Sequence, residues 1–445
     1  MTRHALPLLL ITTLTVATGC SEANRPTAQP VPVVVDPDAQ LTSDERLALA
    51  KVPGSSAVDQ TLTVLQASVR KNMRRDDGLI LLGQTWVRKA RESADPGFYL
   101  NAKACADIVL ARTPDHRLAH DLVGIVLLNQ HRFEEARTLA TDLLAKRDDD
   151  AMALGTLSDA NLELGRYEEA TEAAQKMLEL KPNLPSYSRA SHLLWLRGER
   201  KAAKETARVA IDAGRGAKGD YEPGAWMLVQ AAMLFWHEGD YEGANAGFDK
   251  ALDRVPGYAP ALVGKGRVAL ANKDFLRAAE LFERAYKASP LVETAWLLGD
   301  AREAAGDGAG AAKAYADVER EGRRSDPRTL ALFLATKNRK TDDALKLARE
   351  EYAVRKDIVT EDALAWALHR SGDSAAAKAS IAKARRLGTP DARLLFHEGA
   401  IEIASGDAAK GKRLVSAALA MNPAFDLSSV AEARSLLAKE PVAAR

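Results

Sequence analysis

The chain has 445 residues, of which 28% are charged, with 62 Lys and Arg set against 61 Asp and Glu. That near-zero balance, without a basic block, gives nucleic acid no electrostatic footing. Aromatics are sparse at 5% and alternating β-branched runs are absent, whereas Ala, Leu, Lys, Arg and Glu dominate, which argues against a β-protein and for helices.

At the N-terminus, Arg3 and His4 precede a largely apolar run from Ala5 to Ala17. The run is too short to span a bilayer and has the length of a signal-peptide h-region. The residues that follow, Ala17-Thr18-Gly19-Cys20, resemble a bacterial lipobox, although an ordinary secretory signal with an incidental cysteine fits the same run. The lipobox resemblance implies a signal peptide over 1–19 and acylation of Cys20. It also implies a membrane lipid anchor and, with Ser21 in place of aspartate, retention at the outer membrane facing the periplasm. The other cysteine, Cys105, has no intrachain disulfide partner once Cys20 is acylated, and is expected as a small apolar residue on a helix. Residues 20–41 contain Pro26, Pro30, Pro32 and Pro37 without helical periodicity, which predicts an extended tether. Residues 42–75 then read as a helical lead-in, with Thr42 or Ser43 as its N-cap.

From about residue 76 to 425 one hexapeptide recurs with variation. It begins at His131 (HRFEEA), Gly165 (GRYEEA), Gly198 (GERKAA), Gly239 (GDYEGA), Lys273, Gly306, Arg339, Gly372 and Gly406. Successive starts lie about 34 residues apart, except across an insertion near 214–224. Taking the hexapeptide's first residue as position 15, repeats begin near 117, 151, 184, 225, 259, 292, 325, 358 and 392. Position 20 is then alanine in every unit but the last, where it is Gly411, and position 8 is small in all but Leu332. Pro182, Pro256, Pro290 and Pro423 fall at position 32, where they end a helix. An earlier unit, with Gly83 and Trp86 on its first helix and Ala102, Ala106 and Pro114 beyond, brings the count to ten. The position-17 aromatics Phe133, Tyr167, Tyr241 and Phe275 give way to Gly308, Thr341, Ser374 and Ala408, which predicts looser C-terminal repeats that fray first. Residues 426–445 supply a cap helix and tail.

This period and pattern resemble the tetratricopeptide repeat family, and with the lipobox its bacterial lipoprotein members. The resemblance implies an all-α fold, a right-handed superhelical solenoid of about ten helix-turn-helix repeats. Positions 2, 5, 9 and 12 of each first helix would line a concave groove. In this chain those positions supply His192, Trp195, Trp226, Met233, Trp236, Trp296, Phe333, Trp366 and His369. The rings either face a ligand or pack between neighbouring helices. Trp296, one residue from the family's usual Trp, is the packing candidate; Trp195, Trp236 and Trp366 are the stronger groove candidates. Position 5 reads Asp121, Gly155, Ser188, Val229 and Val263, which lacks the family's carboxylate clamp.

No catalytic, cofactor or metal motif is found. His237-Glu238 and His397-Glu398 lack the second histidine of HExxH, and the pair His116 and His120 straddles a predicted helix start without a further ligand. The expected function is therefore a non-enzymatic, membrane-anchored periplasmic scaffold binding a protein partner in envelope assembly, secretion or motility. The alternative is binding or export of envelope polysaccharide. The oligomeric state is left open.

Overall fold

The computed structural model describes residues 40–216 and 221–438, and every regular element among them is helical. The signal peptide, Cys20 and nearly all of the tether lie outside the described residues, as do four residues of the insertion and the tail from 439.

Two lead-in helices, α1 (Ser43–Ala48) and α2 (Ala57–Lys71), come first. Both begin at capping boxes, made by Thr42 with Glu45 and by Ser56 with Asp59. Ten antiparallel hairpins follow. The first four are α3 (Asp76–Ser93) with α4 (Phe98–Leu110), α5 (Arg117–Asn129) with α6 (Phe133–Lys146), α7 (Ala151–Glu163) with α8 (Tyr167–Leu180), and α9 (Leu184–Leu196) with α10 (Arg200–Ala213). The next three are α11 (Glu222–His237) with α12 (Tyr241–Arg254), α13 (Ala259–Ala271) with α14 (Phe275–Ala288), and α15 (Val292–Ala304) with α16 (Gly308–Ser325). The last three are α17 (Pro327–Thr336) with α18 (Thr341–Val354), α19 (Ile358–Arg370) with α20 (Ser374–Ala384), and α21 (Ala392–Ala404) with α22 (Ala408–Met421). Helix α23 (Leu427–Ala438) closes the array. The hairpins are numbered 1 to 10 below.

The recurring hexapeptide is the turn inside hairpins 2 to 10. Its first residue is left-handed at Gly165, Gly198, Gly239, Gly306, Gly372 and Gly406, a conformation that costs glycine nothing. Hairpins 2 and 6 make the same turn with His131 at φ 58° and Lys273 at φ 61°, so both carry a Cβ where glycine would be unstrained. The second residue starts the next helix: the carboxylates of Asp240, Asp274, Asp307, Asp373 and Asp407 each accept a hydrogen bond from the backbone N–H three residues on. Positions 8 and 20 meet at the tightest crossing of the two helices. The Ser158 hydroxyl donates to the Ala170 carbonyl at 2.8 Å, as Ser191 does to Ala203. In hairpin 10 a Cβ on Gly411 would lie 2.5 Å from the Gly399 carbonyl, which explains the one departure from alanine.

The first helices of most successive hairpins pack on one another, whereas the second helices have no comparable contact. The array therefore curves with its first helices inside. After six hairpins the coil meets itself. The turn of hairpin 3 lies on the junction that opens hairpin 9: the Lys356 N–H donates to the Glu163 carbonyl and the Ile358 N–H to the Tyr167 hydroxyl, both at 2.8 Å. Arg355 is buried between the Glu163 carboxylate and the Phe133 ring, its guanidinium 5.1 Å from that ring's centre. The turn of hairpin 4 lies on the junction opening hairpin 10, where the Thr389 hydroxyl donates to the Leu196 carbonyl at 2.6 Å. The turn of hairpin 5 lies before α23, where the Asn422 amide donates to the Trp236 carbonyl and accepts from the Tyr241 hydroxyl.

This closure corrects one expectation. The largest core runs from Val292 to Ala433 and takes in Tyr167, Ala170, Ala174, Leu193 and Leu196 from across the seam, so the C-terminal repeats are not the looser half. The position-17 aromatics Phe133, Tyr167 and Tyr241 belong to turns that lie on another coil. The turns at Gly306, Gly372 and Gly406 have no neighbour within 4 Å of a would-be Cβ, and there the aromatic is absent.

Candidate functional site on the inner face

The inner face of hairpins 3 to 7 is lined with charge. The Arg189 guanidinium holds Asp159 with two bonds of 2.8 and 2.6 Å, linking α9 to α7. Arg267 on α13 reaches Glu293 on α15 at 2.7 Å. That Arg267 contact, with Arg393 and Arg328 adding across the interior, keeps the Glu293 carboxyl below its usual range against the effect of burial. Facing them from α21 is Arg393, whose buried Nε makes no hydrogen bond and lies 3.7 Å from Asp362. Charges on the first helices of hairpins 6, 7, 9 and 10 thus meet, and the Arg189–Asp159 pair of hairpins 3 and 4 lies near His192.

Aromatic and imidazole rings stand among these charges. Trp195 lies between His192, 5.9 Å between ring centres, and His237 at 4.7 Å. His237 Nδ1 is 3.4 Å from Asp391, the N-cap of α21, so this pair spans the seam. Burial holds His237 below the usual histidine value, and the protein enclosing the inner face does the same for His192 although its ring meets solvent. For Asp391, burial pushes the carboxyl up, and His237, Arg393 and two backbone N–H groups more than offset it. Trp226 is 39% exposed, His192 is exposed, and Trp195 and Met233 are half-buried. This set on α9 and α11 can offer a ligand apolar area, a ring donor and paired charges.

The remaining expected groove residues lie elsewhere. Trp236, Trp296, Phe333 and Trp366 are buried in the core rather than facing a groove, Trp366 at 0% exposure. Trp366 stacks on His397 at 4.0 Å and edge-on to Phe396, and Arg370 lies 4.2 Å from its ring centre. Trp296 and Phe333 meet edge to face at 5.5 Å. His369 is half-buried against Trp366, with burial lowering its pKa to about 4. The physical reason is local packing together with closure. In hairpins 9 and 10 the inner positions are packed by α23 and the segment before it. Trp236 at the end of α11 is covered at the seam by Tyr241 and Ala424, and Trp296 fills its place against Phe333 of the next hairpin. A spacing that stays open at Trp195, Trp226 and Met233 is therefore filled there. His116 caps α5 through its ring nitrogen and His120 bonds the Pro114 carbonyl, so this pair is used within the fold. No group of three metal-ligating side chains is found among the described residues.

Sequence reasoning missed Arg393, Arg267, Glu293 and Asp391, the charged part of this face. Glu293 and Arg393 occupy position 2 and Arg267 position 9, but only the curvature shows that they confront one another.

The family model described as "Tetratricopeptide repeat" matches residues 122–185 and 229–293. Among solved structures the chain is similar to Pseudomonas aeruginosa pilF, at 14% identity, TM-score 0.38, and 46% of this chain against 92% of that one. A thermophilic TPR protein of Thermus thermophilus is 19% identical with TM-score 0.36, over 41% and 92%. Human IFIT1 is 13% identical with TM-score 0.46, over 84% and 93%. No curated protein matches the sequence.

Proposed function

We propose that this chain, whose residues 122–185 and 229–293 match the tetratricopeptide repeat family, is a scaffold anchored in the cell envelope that binds a protein partner on the inner face of hairpins 4 and 5. The observation that carries this reading is the group Trp195, Trp226, Met233 and His192. Its rings remain partly exposed beside paired charges, whereas the other tryptophans beyond the first hairpin are buried. Large amphipathic rings next to arginines are the residue types that dominate binding energies at interfaces. The N-terminal apolar run and Ala17-Thr18-Gly19-Cys20 support the anchor.

The test is crosslinking and affinity capture from membranes with the full-length protein, comparing wild type with Trp226→Ala plus Met233→Ala. One dominant envelope protein, lost from the variant while its circular dichroism is unchanged, is the expected result. Equal capture by the variant would remove this face as the site. Cys20→Ser should leave the precursor uncut and unlabelled by a palmitate analogue; normal processing would remove the anchor.

A further inference from the structure

The seam joins two parts of one coil that are six hairpins apart, and its chemistry differs from that of the hairpins it joins. Within a hairpin, helices meet through buried alanine and leucine side chains. Across the seam, packing of Tyr167, Leu193 and Leu196 and the buried Arg355–Glu163 pair are joined by a set of hydrogen bonds. It includes the Lys356 and Ile358 N–H groups, the Thr389 hydroxyl and the Asn422 amide. A Cβ on Gly165 would lie 2.4 Å from the Lys356 carbonyl, and one on Gly239 2.8 Å from the Met421 carbonyl. Exchanging such bonds for water costs little net free energy for each, so the cost of parting is set by the few apolar side chains and the Arg355–Glu163 pair that it exposes. Parting the seam breaks no contact inside any hairpin, and it leaves turns 3 to 5 as free as those at Gly306, Gly372 and Gly406 already are. A solenoid opens through small rotations shared over its repeats, and hairpins 6 to 8 lie between the joined parts.

The seam also touches the inner face. His237 belongs to both: its ring packs on Trp195 and its Nδ1 faces Asp391 across the seam.

We propose that the seam is a latch: the coil is closed at rest, it parts without unfolding its hairpins, and parting widens the Trp195–His237 face to which a partner docks. The device rests on the scaffold reading for its purpose but not for its existence. A partner that binds the parted coil more tightly shifts the equilibrium by that difference in affinity and no more. Because His237 and Asp391 face each other only in the closed coil, a group that takes His237 competes directly with closure.

Hydrogen exchange on the full-length protein tests the latch, because the Lys356 and Ile358 amides donate across it. The expected result is that peptides covering 355–359 exchange more slowly than exposed turns but faster than the buried core of α19. In Tyr167→Phe plus Asn422→Ala these amides should exchange at least about tenfold faster, the loss of one hydrogen bond's worth of protection. Exchange in α19 should be unchanged, and the radius of gyration from small-angle scattering should increase. Wild-type exchange at 355–359 as slow as in α19 would overturn the proposal, since the seam would then open only with the fold. An unchanged rate in the variant would overturn it as well. Neither measurement involves a partner, so failure of the latch leaves the scaffold reading standing, and failure of partner capture leaves the latch standing.

Discussion

The turns at Gly165 and Gly306 are built from the same hexapeptide and differ in what lies against them. Gly165 follows α7 and has the Lys356 carbonyl against it, while Gly306 follows α15 and has nothing within reach of a Cβ. Both are left-handed, at φ 71° and 86°. Tyr167 follows the first and accepts a hydrogen bond across the seam; Gly308 stands at the matching place after the second. Identical local geometry therefore serves two purposes. In hairpins 2 to 10 the motif reverses the chain, and in hairpins 2 to 5 it also carries the second coil. At Gly308, Ser374 and Ala408 the aromatic is lost where the turn has nothing beneath it, and the repeats there are not weakened.

The strongest way to break this comparison is at the buried ion pair. Arg355→Ala strands the partly buried Glu163 carboxylate beside Asp357 and should cost roughly 3 kcal/mol in urea unfolding. The same truncation at Arg323, whose pair with Asp343 is solvent-exposed, should cost no more than about 0.5 kcal/mol. Similar losses from the two would mean that the seam contributes nothing to stability.

Glycine substitutions sharpen the contrast. Gly306→Ala should cost roughly 1 kcal/mol, the penalty of a left-handed alanine alone. Gly165→Ala adds a steric conflict with the Lys356 carbonyl, so thermal unfolding should show at least about twice that loss. Equal shifts in Tm for the two would argue that the closed coil is not the resting state in solution.

A third expectation concerns pH. Asp121 on α5 is buried with neither carboxyl oxygen hydrogen-bonded, and burial together with the charge of Asp150 pushes its pKa up to about 6. A carboxyl whose folded pKa is raised favours the fold while protonated, so this contribution is present at low pH and is lost as pH rises from about 4 through about 6. Asp121→Asn should flatten the stability profile over that window by about 1–2 kcal/mol, with solvent screening allowed for. A profile unchanged from wild type would mean that Asp121 is hydrated.

The smallest effect is at Lys273, an exposed residue held at φ 61°. Lys273→Gly should raise stability by up to about 1 kcal/mol by removing the left-handed penalty, as read from Tm. A loss would show that the lysine side chain contributes more than its backbone strain costs.

Much of this molecule was legible in the primary structure because its determinants are local. A turn glycine, an aspartate that caps the next helix, and alanine or glycine where two helices cross each act within one hairpin, and they recur at a period that can be counted. Ser158 against Ala170 and Gly399 against Gly411 are contacts twelve residues apart, set by the helical repeat alone. The inner positions could be named for the same reason, since a helix face follows from spacing.

Which inner positions stay open could not be read that way. Trp226 and Trp366 both occupy groove positions, and one is 39% exposed while the other is 0%. The difference arises from small rotations summed over six hairpins, which bring Glu163 to Arg355 and Leu196 to Thr389 across more than 190 residues. Sequence spacing determined the hairpins and the face each residue occupies; only the tertiary structure decided that the coil closes, because curvature accumulates from every interface and no single repeat encodes it.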